Sequence, residues 1–195
     1  MDNKPDLVTA PSQFLLDTLK ARGLFGSVKM IKVSNAIELH DEMVEKDYET
    51  LDILYVGGLS RHKGVHLLIN AYKLLKSENI KLYIVGKGKD EDEFKRLAGS
   101  EKQIFFHGFV PDNELMELYQ EANVTVVPSI WYDNSPMVIY ESFMNGTPVI
   151  GSRIGGFPEL VEEGYNGFLF EAGNVAELKE SICIANRKNH EISRY

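Results

Sequence analysis

The chain has a single cysteine, Cys183, so no disulfide can form within it, and a reducing, cytoplasmic setting is the expectation. No apolar run approaches the ~20 residues that a membrane span needs. The N-terminal M-D-N-K-P-D lacks the apolar stretch of a signal peptide. Basic residues are the minority: 21 Lys and Arg stand against 29 Asp and Glu, for a net charge of −8. That balance excludes non-specific nucleic-acid binding through a basic face, but it leaves room for a local pocket that takes a small anion. The 5 histidines and the lone cysteine show no zinc-like spacing, and repeats and low-complexity tracts are missing. Tryptophan occurs once, at Trp131. What is present is a globular composition, 44% hydrophobic over 195 residues. This suffices for one domain with a real core and a fragment of a second.

Residues 1–35 read as a β-α-β unit: strands at 7–10 and 28–33, and between them a helix over 13–22 that Gly23 ends. The unit is too small for a core of its own. Residues 36–50 are acidic and poor in apolar side chains, an expected linker or exposed helix. From residue 51 to 195 the pattern becomes regular. L-D-I-L-Y-V ends in Gly57-Gly58, with a helix expected over 63–76. I-K-L-Y-I-V ends in Gly86-Lys87-Gly88, with an acidic helix over 90–98. Q-I-F-F-H ends in Gly108, with a helix over 114–121. V-T-V-V ends at Pro128, with a helix from Pro136. T-P-V-I ends at Gly151, with a short helix over 158–163, and G-F-L-F is the last strand. Asn174 with Glu177 three residues on reads as a capping box. Strand-helix alternation at this spacing predicts an α/β fold, a Rossmann-like parallel sheet with helices on both faces. Ligands of such sheets bind beyond the C-terminal strand ends, where Gly57, Gly86, Gly108 and Gly151 stand.

The helix expected to open at Ser135-Pro136 offers a favoured N-cap and a proline at the first helical position. Its end can cap a phosphate, or be a helix end and nothing more. Glu141 lies inside that helix among Met137, Val138, Ile139, Tyr140, Phe143 and Met144. An unpaired carboxylate is costly in such company. Either it accepts hydrogen bonds from paired hydroxyls of a ligand, such as a ribose, or it has an internal partner such as Arg153 or Arg61. Asp133 shares a loop with Trp131, Tyr132 and Asn134, which suits a sugar or an Asx turn. Lys63, with Arg61 and His62 before it in G-G-L-S-R-H-K-G, suits a diphosphate or a solvated loop. Gly86-Lys87-Gly88 starts a dinucleotide fingerprint that Glu91 leaves incomplete. Asp90-Glu91-Asp92 reads as acids in a first helical turn rather than a metal motif. Gly155-Gly156 reads as a tight turn or an anion loop, and His40, His62, His66, His107 and His190 form no pattern.

Taken together and in order over residues 52–185, these motifs resemble the family 4 retaining glycosyltransferases of the GT-B fold. Y-V-G-G-L-S-R-H-K-G is similar to that family's diphosphate-binding loop, and F-F-H-G-F-V-P to its base-contacting strand end around Gly108 to Val110. P-S-I-W-Y-D-N-S-P-M-V-I-Y-E-S-F-M-N-G-T-P-V-I is similar to its signature of two acids with seven residues between them. G-G-F-P-E-L-V and G-F-L-F follow as in the family. The resemblance implies that Lys63 neutralises a departing diphosphate, Asp133 touches donor-sugar hydroxyls and Glu141 holds the ribose. Backbone groups near Ser135, Met137 and Val138 would cap a phosphate, and Gly58, Lys87, Gly108 and Val110 would complete the donor site. It implies no metal and no cofactor, with a UDP- or GDP-linked hexose as donor substrate. Two positions depart from the pattern: the first acid is usually glutamate rather than Asp133, and arginine often stands where Gly58 does, with Arg61 the candidate substitute. The resemblance also implies that residues 1–35 are the remnant of an N-terminal acceptor domain and 51–195 the donor domain. The expectation is therefore a piece of a longer enzyme that binds donor without turnover. Its partner would be that acceptor domain, the route of any peripheral membrane association. A stand-alone nucleotide-binding or interaction module and a GT-B sugar-nucleotide epimerase are the alternatives.

Overall fold

The computed structural model describes residues 5–37, 46–75, 77 and 79–192. Residues 38–45 of the expected linker, His40 among them, and Lys76 at the expected end of a helix lie outside this set.

Near the N-terminus, β1 (Leu7–Ala10) pairs in parallel with β2 (Lys29–Lys32) around α1 (Gln13–Ala21). The Ser12 hydroxyl caps α1 by accepting the Leu15 N–H at 3.2 Å. Gly23, at φ 68°, closes it, its N–H donating to the Lys20 carbonyl at 2.9 Å. In this unit only Ala10, Ser12 and Leu16 are buried, too few for a core. A distant carboxylate fastens it to the rest of the chain. Glu159 accepts the N–H groups of Gln13 at 2.8 Å and Phe14 at 2.6 Å, and the Lys32 ammonium at 2.7 Å. These are orphan donors of a helix start, where the dipole also favours an anion.

Burial of Glu159 opposes ionisation, but the Lys32 ammonium and the N–H groups of Phe14 and Gln13 outweigh it and hold the carboxyl below its ordinary value. A depressed carboxyl contributes stability above its unfolded pKa and loses it as pH falls through the folded one. The Phe14 amide is therefore expected to lose hydrogen-exchange protection on acidification below about pH 4.5. Glu159→Gln is expected to cost it roughly tenfold in protection at pH 7. Protection that is equal in the two proteins at pH 7 would refute the tether.

The main body is a six-stranded, all-parallel sheet. Its strands are β3 (Leu51–Val56), β4 (Ile80–Val85), β5 (Ile104–Gly108), β6 (Val124–Val127), β7 (Val149–Ser152) and β8 (Gly167–Phe170), in the spatial order β5-β4-β3-β6-β7-β8. The helices are α2 (Val65–Lys73), α3 (Glu91–Ala98), α4 (Asp112–Glu121), α5 (Met137–Met144) and α6 (Val175–Ile192). Strands buried on both faces read as continuous apolar runs, and β3 shows how they are shared out. Leu51, Ile53 and Tyr55 pack with Leu68, Phe94, Leu178 and Ile182 of α2, α3 and α6. Leu54 points the other way, to Val110 and to Tyr119 of α4, with Val138 of α5 beside them. This is the expected Rossmann-like fold. No described helix is long and apolar enough to cross a membrane.

Several boundaries differ from the sequence expectation. The helix expected from Lys63 starts at Val65, because Gly64 takes φ 78° and leaves Arg61–Lys63 as a separate 3-10 turn. The expected helix at 158–163 is a 3-10 turn, Phe157–Glu159. Lys46, in the acidic stretch, closes the C-terminal end of α4. Its ammonium donates to the carbonyls of Gln120 at 2.8 Å and Ala122 at 2.7 Å and to the Thr147 hydroxyl at 2.7 Å, and burial lowers its pKa to about 8.

Candidate functional site

The strand order reverses direction between β3 and β6, so the connections leaving these neighbours diverge and open a crevice at their C-terminal ends. A recess of about 170 Å³ lies there, lined by Gly57, Gly58, Lys63, Ser129, Asp133 and Pro136 among others. A larger cavity, of about 270 Å³, lies at the other end of the sheet near Lys46 and Asn189, and it contains none of the expected site residues.

Inside the recess the Lys63 ammonium donates to both oxygens of Asp133, at 3.0 and 2.9 Å. The carboxylate is thus neither in an Asx turn nor free in solvent, and the lysine is not a solvated surface group. Glycines make this encounter possible. A Cβ on Gly64 would sit 1.8 Å from the Pro128 carbonyl oxygen, so only glycine lets the two loops touch. The Ile130 N–H then donates to the His62 carbonyl at 2.9 Å, next to Lys63. From the opposite side Gly156 donates its N–H to the Asp133 carbonyl at 2.9 Å. A Cβ there would lie 1.8 Å from the Asn134 carbonyl oxygen. The Gly155-Gly156 turn therefore braces the acid's own backbone. The Tyr55 hydroxyl donates to the Gly58 carbonyl at 3.0 Å, and burial followed by the Asp133 charge pushes its pKa well above the ordinary value, so it stays a donor.

The loops after β4 and β5 join this edge through backbone contacts. Gly86 donates to the Gly108 carbonyl at 2.7 Å, and Leu59 to the Lys87 carbonyl at 3.0 Å. The Lys87 side chain is exposed and passes alongside Gly108. Val110 is buried against Tyr119.

Three expectations need correction. Arg61 does not face the recess: its guanidinium pairs with Glu93 of α3, and its backbone N–H donates to Asp90 at 2.8 Å. Ser135 does not cap α5. Pro136 holds the cap position with extended backbone (ψ 123°), and the Ser135 hydroxyl bonds the Tyr140 hydroxyl at 2.9 Å instead. The first-turn N–H groups at Met137 and Val138 consequently have no side-chain cap, and Met137 is exposed at the helix start. Glu141 is half-buried one turn further along, and its internal partner is neither arginine. Arg153 pairs with Glu163 at 3.0 Å, whereas Glu141 accepts the Tyr119 hydroxyl at 2.9 Å. A phenol satisfies a carboxylate without bringing a second charge out of water.

The remaining motifs have ordinary explanations. Glu91 pairs with Lys95 at 2.7 Å within α3. His66 stacks on Phe94 and exposed His107 leans on Tyr83. Tyr132 stacks on Phe14 of α1, and it and Trp131 are both exposed, 61% and 62%. Among the described residues no three His, Cys, Asp or Glu side chains gather as metal ligands. Sequence reasoning missed Tyr55, Tyr119 and Glu159. Each acts on a residue distant in the chain or through a buried hydroxyl, and no local pattern marks that.

Comparison with known proteins gives concordant results. The family model described as "Glycosyl transferases group 1" matches residues 37–190. An uncharacterized glycosyltransferase of Methanocaldococcus jannaschii is 39% identical over 119 residues, 59% of this chain and 30% of that protein. Among solved structures, the apo lipopolysaccharide outer core galactosyltransferase WaaB superposes with a TM-score of 0.81 at 21% identity, covering 94% of this chain and 53% of WaaB. HepE of Anabaena, in complex with UDP and glucose, gives 0.76 at 25% identity, covering 94% of this chain and 55% of HepE. The chain thus spans about a third to a half of the length of such relatives.

Proposed function

The chain belongs to the group 1 glycosyl transferases, and on that premise we propose that it is the donor-binding half of a retaining hexosyltransferase of family 4. The donor is a UDP- or GDP-linked hexose. The bond between the anomeric carbon and the β-phosphate oxygen breaks, a glycosidic bond forms to an acceptor hydroxyl with retention, and the hydroxyl proton passes to the departing diphosphate. The observation that carries this reading is the Lys63–Asp133 pair at the switch point, one group suited to a diphosphate and the other to a sugar. HepE, whose structure contains UDP and glucose, supports the choice of ligand.

In this reading Lys63 and the uncapped N–H groups of Met137 and Val138 stabilise the charge that develops on the leaving diphosphate. Gly58 lets the chain approach the phosphates closely, and the Gly108–Val110 edge faces the base, with Lys87 beside it. Asp133 accepts from the sugar hydroxyls and Glu141 from the ribose. Leaving-group charge is met by Lys63 and the helix end, so no metal is assigned a role. An acceptor domain elsewhere in the parent protein supplies the second substrate and closes the cleft. The chain by itself is therefore expected to bind donor without turnover. Titration calorimetry with UDP and GDP tests this. One of the two should bind, and Glu141→Ala should weaken it about tenfold. If neither binds, or if Glu141→Ala binds as tightly as the parent, the donor-site assignment is wrong.

A further inference from the structure

No motif of the sequence marks the residue that holds Glu141. Tyr119 stands near the C-terminal end of α4 and is 2% exposed. Its hydroxyl donates to Oε2 of Glu141 at 2.9 Å, and among the described residues no donor reaches Oε1. Its backbone is fixed to the same helix from the other side. The Tyr119 carbonyl accepts the Thr147 hydroxyl at 2.7 Å, and the Thr147 N–H donates to the Ser142 carbonyl of α5 at 2.9 Å. Tyr119 thus holds α5 at two points, one by its side chain and one by its main chain. Its ring packs with Leu54, Val85, Val110 and Ala122, which leaves it no room to swing. Burial and then the Glu141 carboxylate raise its pKa far above the ordinary value, so it donates throughout the working range.

We propose that Tyr119 is a positioning residue that engages Oε2 of Glu141, keeps Oε1 for the ligand, and thereby sets the site's preference for a nucleotide with intact ribose hydroxyls. This rests on the reading of Glu141 as the ribose acceptor. The terminal torsion of a glutamate is broad and two-fold, so without a fixed donor on one oxygen no described residue orients the other. Tyr119 also joins Glu141 to Val110, so the groups assigned to ribose and base share one rigid support.

The test compares the nucleoside diphosphate that binds, UDP or GDP, with its 2′-deoxy and 3′-deoxy forms, by calorimetry on the parent chain and on Tyr119→Phe. The parent is expected to bind the ribonucleotide about tenfold more tightly than at least one deoxy form. In Tyr119→Phe that ratio is expected to fall below about threefold, through loss of ribonucleotide affinity alone. Tyr119→Met also lacks the donor but fills the space differently, and it should show the same loss of ratio; melting curves check that each variant is folded. A variant that weakens both nucleotides alike and keeps the ratio makes Tyr119 merely structural and overturns the proposal. A parent that binds but does not discriminate removes the ribose role of Glu141, and the proposal with it. No binding at all is instead a failure of the donor-site reading.

Discussion

Lys63→Ala is expected to weaken binding of the nucleoside diphosphate about 30- to 100-fold, a loss of about 2–3 kcal/mol of charge-assisted hydrogen bonding. The residue is half-buried at the switch point, where among the described residues its ammonium has one partner, Asp133, on both oxygens. A diphosphate entering the recess must draw Lys63 away from that carboxylate or share it. The two substitutions should therefore act in opposite directions. Asp133→Asn keeps the shape of the side chain but removes the charge that competes for Lys63 and repels the phosphates. It is expected to tighten UDP or GDP about three- to tenfold at low salt and to narrow any preference for the sugar-linked form. Calorimetry at matched ionic strength reads both effects. A Lys63→Ala protein that binds within threefold of the parent would exclude Lys63 from diphosphate recognition. Weaker diphosphate binding in Asp133→Asn would mean that the pair organises the loop instead of competing with the ligand.

Lys63 and Asp133 could each be read from the sequence, because glycine-rich strand ends and a loop rich in aromatic and amide groups are local signals. Their pairing was not legible. It depends on β3 and β6 being neighbours, and strand order is set by packing of the whole sheet rather than by any one segment. The alternation of strands and helices was legible for a related reason, since the five apolar runs from L-D-I-L-Y-V to T-P-V-I each end at a glycine or proline. Arg61 and Arg153 were reasonable partners for Glu141 by charge. Both find carboxylates close by on the surface, Glu93 and Glu163, and remain hydrated there. Taking either to Glu141 would strip two charges of water, which Tyr119 avoids. The start of α5 was misjudged by one residue because serine is a good cap only when its hydroxyl is free, and Tyr140 takes it. Glu159 capping α1 joins residues 146 apart, a separation that no sequence window covers.

Gly64→Ala is expected to destabilise the protein by about 3 kcal/mol or more and to abolish nucleotide binding, whereas Gly173→Ala should cost only about 1 kcal/mol. The two glycines share a left-handed backbone, φ 78° and 87°. An L-residue pays about 1–2 kcal/mol for that conformation, less about 0.4–1 kcal/mol for the lower entropy of the unfolded alanine chain. This common term is the whole effect at Gly173, where an added Cβ meets nothing within 4 Å. At Gly64 the Cβ would lie 1.8 Å from the Pro128 carbonyl oxygen and 2.6 Å from its carbon. Backbone atoms cannot rotate away as a side-chain tip can, so the loops after β3 and β6 must separate. Lys63 stands on one of these loops and Asp133 on the other, so the separation that relieves the clash also pulls apart the 2.9 Å pair. With a urea slope of about 2 kcal/mol/M, the unfolding midpoint should fall by about 1.5 M for Gly64→Ala and about 0.5 M for Gly173→Ala. Equal shifts would mean that the loops yield freely, and binding retained in Gly64→Ala would mean that the site does not need them in contact.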